Sequence, residues 1–285
     1  MAVTAEDVKR LREKTGAGMM ECKKALVDTG GDFEQAEKLL KEKGLAALEK
    51  RSGRATNEGK IFVKVKDNTA VLVEMASETD FVARNPEFIA LGSAIADRVL
   101  EKGYTAVNDE LGALVQDLAT KIRENMSLKR IKVLTAGAGE YLTQYIHGDG
   151  NIGVVVKLCA DKDEVFAKQE AKDFAFTLAL HIAAFNPMAL SRDKIDGAFL
   201  KDQEEIFRKQ MEGDEKLSLM KESKPEQFEK ILQGKLNKYL QDTCLLDQGY
   251  VKDEKITVAK ALEEYGKQLG AKIGVGDYVY FKVGQ

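Results

Sequence analysis

The feature that most constrains the fold is a pattern that occurs twice, namely two β-segments around a turn followed by an amphipathic helix. In the first copy, KIFVKVK and TAVLVEMA flank Asp67–Asn68, and a helix begins near Asn85–Pro86, where asparagine can cap and proline suits the first turn. The second copy starts with EYLTQYIHGDGNIGVVVKLCA, residues 140–160. Its helix carries four apolar residues at helical spacing: Phe174, Leu178, Ile182 and Phe185. The repeat predicts an α+β fold with two similar halves and antiparallel sheets.

Helical periodicity predicts the other elements. Three short helices precede the first copy, with Thr4 as the first cap and Asp32 before the third helix, and the polar stretch RSGRATNEG follows as a linker. A further helix over about residues 108–124 leads into the strand LKRIKVLTA. Near the carboxyl terminus, a helix opens at Thr257 and the strand GDYVYFKVGQ follows it.

Between the second copy and this last helix, the chain is highly charged and helical in its periodicity. One long helix carries Phe199 and Ile206 on its apolar side, a second carries Phe228, and the two are joined at Gly213 to Pro225. These helices predict a protruding antiparallel hairpin.

The length of 285 residues allows more than one core, and we expect two or three domains. The predicted parts are a three-helix module with its linker at 1–55, a first core half at 56–138, a second core half at 139–285, the hairpin inserted at 190–243, and a short helix-strand module at 250–285.

The composition argues against several classes of protein. The 47 acidic and 44 basic residues give a formal charge of −3, so no strong overall field favours nucleic acid or an anionic membrane. The three cysteines are scattered without a Cys-x-x-Cys spacing, which predicts a reducing, cytoplasmic compartment. The first residues lack the apolar run of a secretory signal, and no segment approaches the roughly 20 apolar residues of a membrane span.

Gly148–Asp149–Gly150–Asn151–Ile152–Gly153 is a literal G-x-G-x-x-G motif that follows a predicted strand. A dinucleotide site needs this loop to open a helix, whose amino terminus holds the pyrophosphate. Here the β-branched stretch VVVKLCA follows. The glycines therefore indicate a hairpin turn, and the alternative of an oxidoreductase predicts stabilisation by NAD, which we do not expect.

His147 and His181 are the only histidines, and neither has a cysteine or serine placed as an evident nucleophile partner. His181 borders an apolar helix face and is predicted to be a core histidine, whereas His147 lies at a loop. Without a nucleophile, a metal cluster or a paired acid and base, we expect no catalytic residue, metal or cofactor. The protein is predicted to act by binding another protein and not as an enzyme.

Two short stretches are candidates for such binding. Met19 and Met20 cannot both point into a small core, so one is predicted to be exposed, either for adaptable partner binding or because the module is loosely packed. In MASETDFVARNPEF, Asp80 and Phe81 lie at a tip between a strand and a helix. From spacing alone, Asp80 can instead cap the following helix while Phe81 packs into its own core.

Five blocks together resemble the translation elongation factor Ts family over nearly the whole chain: LREKTGAGMMECKKAL (11–26), ETDFVARN (78–85), HGDGNIGVVV (147–156), HIAAFNP (181–187) and GKLNKYLQDTCLLDQGYVKD (234–253). The first two blocks are the specific ones. The resemblance implies a ubiquitin-associated-like (UBA-like) amino-terminal module, a two-part α+β core, a coiled-coil hairpin and a carboxy-terminal module. It also implies a guanine-nucleotide exchange factor that binds elongation factor Tu in its GDP-bound and nucleotide-free forms.

By this resemblance, Arg12, Met19 and Met20 contact the GTPase domain of Tu. Thr79, Asp80, Phe81 and Val82 form the block that dislodges magnesium from the nucleotide site, and His147 and Gly148 fall in the contact region of the second core half. No direct contact with nucleic acid or a membrane is implied, and a homodimer or a dimer of heterodimers is a possible assembly.

The chain departs from the family pattern at Asn151, commonly arginine, at Phe185, usually a small residue, and at Gly249, frequently proline. Because Asn151 is uncharged, this loop lacks the charged contact that an arginine would make. The alternative function is an adaptor or chaperone in which the helical module serves some other partner. A pull-down discriminates, because only an exchange factor demands a GTPase of the Tu type as its dominant partner.

Overall fold

The computed structural model describes residues 3–285 and confirms the α+β class. The chain divides into two units. The first contains the described residues up to Thr135 together with Ile146–Gly153 and Phe281–Gln285, and the second contains Ala136–Tyr145 and Val154–Tyr280. The domain boundaries predicted from the sequence stay predictions.

Three helices open the first unit, as predicted: α1 (Ala5–Thr15), α2 (Met19–Asp28) and α3 (Phe33–Glu49). The hydroxyl of Thr4 accepts from the backbone N–H of Asp7 at 3.1 Å, and the Asp7 carboxylate accepts in return from the Thr4 N–H at 3.2 Å. The three helices share one small core: Val8, Leu11, Cys22, Ala25, Leu26, Ala36 and Leu40. The UBA-like classification of this module stays a prediction.

An antiparallel sheet of order β1-β2-β3 follows, built from β1 (Glu58–Lys66), β2 (Thr69–Ser77) and β3 (Met126–Thr135). Asp67 adopts a left-handed φ of 53° in the two-residue turn between β1 and β2, where the alternation predicts a hairpin. The helices between β2 and β3 are α4 (Asp80–Ala83), α5 (Pro86–Lys102) and α6 (Asp109–Ile122).

The asparagine before each of the two longer helices accepts a hydrogen bond from the first turn, as the sequence predicts for α5. A Cβ at Gly92 would collide with the ring of Phe62, so glycine at this position lets α5 approach β1 closely. Helices and sheet bury a common core that includes Val73, Met75, Phe88 and Ile95. This packing fixes the ends of β2, α5 and α6, and the short helix α4 lies between them.

The second half repeats the arrangement with an insertion. Its strands are β4 (Glu140–His147), β5 (Ile152–Ala160), β6 (Gly249–Tyr250), β7 (Asp253–Thr257) and β8 (Ile273–Lys282). Its helices are α7 (Gln169–Phe185), α8 (Gly197–Glu212), α9 (Glu215–Ser223), α10 (Pro225–Thr243) and α11 (Val258–Leu269). The main sheet has the order β4-β5-β8, so the last strand pairs beside β5 as β3 pairs beside β2, while β6 and β7 form a separate pair. Two similar halves were predicted, and the strand orders confirm them.

Two details of the second half differ from the prediction. Phe185, expected on the apolar face of α7, is 45% exposed because α7 ends there, at the left-handed Asn186. The connection expected between Gly213 and Pro225 is itself helical, since Asp214 caps α9 by accepting from two backbone N–H groups. Leu217 and Met220 of α9 then pack against the core of the hairpin.

The residues that pack between the helices of the hairpin differ in part from those predicted. Phe228 is buried together with Met211 and Leu232, as expected for the second long helix. Phe199 and Ile206 are exposed, and on the first helix Phe207 makes the contact instead, with its ring 5.7 Å from that of Tyr239. Both exposed side chains lie on a different side of α8 from the packed seam.

Candidate functional site

The short helix α4 forms an exposed corner between β2 and α5, here called the Phe81 corner (residues 78–84). Thr79 caps it by accepting from the backbone N–H of Val82 at 3.4 Å. Val82 and Ala83 are buried, whereas Phe81 is 81% exposed and forgoes the burial energy of about 1.5–3 kcal/mol that a core phenylalanine gains. The interpretation that packs Phe81 into its own core is therefore wrong. Val82, predicted as part of the exchange block, belongs to the core.

Asp80 occupies the first position of α4, where its carboxylate pairs with Arg84 at 3.3 Å. The caps are other residues, since Thr79 caps α4 and Asn85 caps α5 by accepting from the N–H of Glu87 at 2.8 Å. The interpretation of Asp80 as the cap of the following helix is therefore wrong. Because the ion pair is exposed, it contributes little to stability, and the Asp80 carboxylate stays accessible beside Phe81.

Hydrogen bonds to the residues after α6 hold the Phe81 corner in place. The Thr79 hydroxyl donates to both carboxylate oxygens of Glu124, at 3.0 and 3.2 Å. Glu78 accepts from the backbone N–H of Asn125 at 2.6 Å and from Arg54 at 3.0 Å. The Asn125 N–H is the main reason why the pKa of Glu78 lies below its ordinary value, and Arg54 lowers this pKa further.

Met19 and Met20 form a second candidate surface, the methionine pair, at the start of α2. Met19 is 45% and Met20 75% exposed, which confirms the prediction that the two do not both point into the core. The carboxylate of Glu21 accepts from the backbone N–H of Gly18 at 3.0 Å and pairs with Arg123. This hydrogen bond with Arg123 is the largest cause that lowers the pKa of Glu21. The pairing holds the start of α2 against the end of α6.

The turn between α1 and α2 packs on the same end of α6. Gly16 ends α1 with a left-handed φ of 67°, and a Cβ there would meet the side chain of Lys121 at 2.7 Å. Lys121 in turn pairs with Glu87 at the start of α5, at 2.7 Å. Arg12, the remaining candidate in this module, is exposed near the end of α1.

A third candidate surface is the turn between β4 and β5. His147 is the exposed last residue of β4, and Gly148, Asp149 and Gly150 adopt left-handed φ angles of 47°, 25° and 94°. The N–H of Asn151 donates to the Gly148 carbonyl at 2.9 Å and closes the turn. Strand β5 follows, so the predicted hairpin turn is confirmed, and the dinucleotide-binding interpretation is wrong because no helix opens here.

Lys60 of β1, which the sequence does not single out, holds this turn. Its almost fully buried side chain pairs with the Asp149 carboxylate at 2.8 Å and also donates to the Asp149 carbonyl. Beside it, the Ile61 N–H donates to the Gly150 carbonyl at 2.8 Å. The hydrogen bond from Lys60 is the main cause that lowers the pKa of Asp149, and the charge of Arg84 lowers it slightly more.

All three surfaces belong to the first unit. Arg123 and Glu124, neighbours in sequence, link the helix of the methionine pair and the Phe81 corner to the end of α6. Among the described residues, no hydrogen bond or ion pair joins the Arg12 side chain to the other candidates. The links made by Glu124 and Arg123 join residues that are 45 and 102 positions apart in the chain, so the spacing of residues in the sequence gives no signal for them.

Within residues 3–285, no group of three or more histidine, cysteine or acidic side chains is placed to hold a metal ion. His181 is fully buried and its Nε2 bonds the Gln248 amide oxygen at 2.9 Å, which confirms the predicted core histidine. No helix in the described part of the chain has the length and apolar character needed to span a membrane.

Comparison with known proteins agrees with the resemblance. A family model described as elongation factor TS matches residues 78–285. Elongation factor Ts of Treponema denticola is 47% identical over 284 residues, covering 100% of this chain and 99% of the relative. The proteins of the same name from Treponema pallidum strain Nichols and Borrelia recurrentis are 43% and 40% identical, over 100% of this chain and 99% and 100% of the relatives.

Proposed function

Since the chain belongs to the elongation factor Ts family and is thus a translation elongation factor, we propose that it is the guanine-nucleotide exchange factor for elongation factor Tu. The observation that carries the proposal is the exposure of Phe81, at 81%, on a corner whose neighbouring residues Val82 and Ala83 are buried. A large apolar side chain held out in water by a firmly anchored backbone is suited to insertion into a partner.

The proposed mechanism begins with the way a GTPase holds GDP. Its magnesium is bound largely through water and phosphate oxygens rather than a rigid protein cage, so a small displacement disrupts the site. Phe81, inserted between two helices of Tu, gains apolar burial and pushes apart the elements that position the metal. Asp80 holds the ring in register by hydrogen bonds. Val82 acts from within the core by supporting the backbone of the corner.

Exchange of this kind needs no covalent chemistry, so the protein acts as a binding factor and not as an enzyme. If the factor weakens nucleotide binding by some ratio, nucleotide weakens binding of the factor by the same ratio. Binding of GTP therefore expels the factor from Tu. Each tenfold loosening of GDP requires about 1.4 kcal/mol of differential affinity, which several contact surfaces can supply together.

The three surfaces divide this task. The methionine pair and Arg12 supply affinity for the GTPase domain, because exposed thioethers adapt to an apolar partner surface. The turn at His147 and Gly148 adds a contact whose backbone is fixed by Lys60. The Phe81 corner uses the resulting affinity to deform the nucleotide site.

Stopped-flow release of a fluorescent GDP from purified elongation factor Tu tests the proposal, with excess unlabelled nucleotide and increasing concentrations of this protein. We expect the release rate to rise and then to saturate. No acceleration by a folded protein would refute the exchange function and favour the adaptor alternative. A pull-down from cytosol would then identify the dominant partner.

A further inference from the structure

We propose that three consecutive residues, Arg123, Glu124 and Asn125, form a positioning segment that fixes the Phe81 corner relative to the methionine pair. The inference rests on the proposed function, since it explains how affinity gained at one surface is used at the other. Arg123 bonds the start of α2, whereas Glu124 and Asn125 bond two consecutive residues of the Phe81 corner, Thr79 and Glu78. In consequence, a partner that seats the methionine pair also determines where Phe81 enters.

The backbone conformation of Arg123 allows the positioning segment to bond two different elements. Arg123 ends α6 in the left-handed conformation, with φ 68°, and its N–H donates to the Ala119 carbonyl at 2.8 Å. Its side chain pairs with Glu21 at the start of α2, and its carbonyl accepts from Arg51 at 2.9 Å. The chain reverses at this point, so Glu124 faces a different element from Arg123.

Glu124 controls the cap of the Phe81 corner. The Thr79 hydroxyl has one proton, which it donates to Glu124, and its lone pairs accept from the Val82 N–H. A helix of four residues is not stable on its own, because one turn forms too few hydrogen bonds to offset the cost of ordering its residues. The direction of α4 therefore depends on this anchor and on the burial of Val82.

Asn125 ties the first residue of the Phe81 corner, Glu78, to the linker before β1. Its backbone N–H donates to Glu78, and its side-chain amide donates to the carbonyls of Ser52 at 3.3 Å and Arg54 at 2.9 Å. Arg54 itself pairs with Glu78 at 3.0 Å, so Asn125, Arg54 and Glu78 all contact one another. The residue that precedes Thr79 is thereby held from two sides.

Overall stability does not require these contacts. The pair between Glu21 and Arg123 is about half exposed, and exposed ion pairs contribute little to folding free energy. The cores of both elements are complete without them. Variants in the positioning segment should therefore fold, and a change in exchange kinetics can be assigned to the position of the two surfaces.

The first test compares Glu124→Ala with Glu124→Gln in the stopped-flow assay. Glu124→Ala should lower the saturating GDP release rate by about tenfold, the effect of losing one hydrogen bond to a charged group, while the half-saturating concentration stays unchanged. Glu124→Gln keeps an oxygen that accepts from Thr79 and should recover most of the rate. A purely structural role would lower the rate only in step with thermal stability.

The second test uses Arg123→Gly, which keeps the left-handed backbone and removes the pair with Glu21. It should raise the half-saturating concentration by roughly twofold to fivefold and leave the saturating rate near that of the parent protein. Asp117→Asn is the matched control, because Asp117 pairs with Lys41 at 2.9 Å and also joins the helical module to α6. This control should change neither quantity.

The outcomes separate the inference from the proposed function. If the parent protein does not accelerate release, the proposed function fails. If the parent accelerates release and Glu124→Ala and Arg123→Gly both behave like Asp117→Asn, the exchange function stands and the positioning role is refuted. A matching loss in thermal stability for both variants would also refute it.

Discussion

In both halves, a short helical corner follows the second strand. The corner of the first half exposes a phenylalanine, whereas the corner of the second half buries one. In the first half, DFVA forms α4, and Phe81 is 81% exposed. In the second half, DEVFA forms a short 3₁₀-helix at Asp163–Ala167, and Phe166 is 8% exposed. The ring of Phe166 stacks on Tyr141 with centroids 5.4 Å apart.

A valine is buried in each corner, and its position relative to the phenylalanine explains the difference. Phe81 precedes the buried Val82, whereas Phe166 follows the buried Val165. The repeated fold can therefore bury an aromatic ring at this corner. Because the first half forgoes about 1.5–3 kcal/mol by exposing Phe81, we infer that this exposure serves binding and is not forced by the fold.

The largest effect is expected from truncating the two rings and comparing stability. Phe166→Ala should lower the free energy of unfolding by about 3–5 kcal/mol, because it removes a buried ring and leaves a cavity. Phe81→Ala should change it by less than about 0.5 kcal/mol. Chemical denaturation measures both. A comparable loss for Phe81→Ala would mean that the exposed ring packs in solution and would break the comparison.

Exchange activity, in contrast to stability, should depend on the exposed Phe81. The double variant Asp80→Ala with Phe81→Ala should slow saturating GDP release by roughly thirtyfold, as expected for removal of a hot spot of about 2 kcal/mol. Val107→Ala, which truncates another exposed apolar side chain of the first unit, serves as the control. An unchanged release rate for the folded double variant would contradict the assignment of Phe81.

The methionine pair provides a smaller effect on affinity. Met20→Asp should raise the dissociation constant for nucleotide-free elongation factor Tu by about tenfold, because a carboxylate replaces an apolar contact. Val27→Asp is the matched control, since Val27 is an exposed apolar residue at the other end of α2. Isothermal titration calorimetry measures both affinities. Equal weakening by the two variants would argue against a specific contact at Met20.

The helices and strands whose ends are set by local sequence signals could be predicted from the sequence. Caps such as Thr4 and Asn85, the hairpin turn at Asp67 and the hydrophobic periods placed most helices and strands, because each signal lies within a few residues of its effect. The helical connection α9 was missed although Asp214 supplies a cap, since its formation depends on packing against the hairpin core.

The candidate site was predicted less completely. The methionine pair was a binding candidate from its residues alone, whereas for Phe81 spacing favoured burial and only the resemblance pointed to a partner contact. The side chains that hold these surfaces, Lys60 and Glu124, bond residues 89 and 45 positions away, and only the folded chain brings such residues together. Long-range polar contacts of this kind leave no periodic signal in a single sequence.

The smallest effect concerns a buried histidine of the second half. His181 lies in the core beside Gln248, and burial lowers its pKa below the ordinary value of 6.5. The unfolded chain therefore takes up a proton at a higher pH than the folded chain, so the free energy of unfolding should fall as the pH is lowered from 7 to 5.5. His181→Gln, whose amide can still donate to Gln248, should lose this decline when both proteins are denatured at each pH. If the decline persists unchanged in His181→Gln, other groups cause it and the contrast between the two halves does not extend to their response to pH.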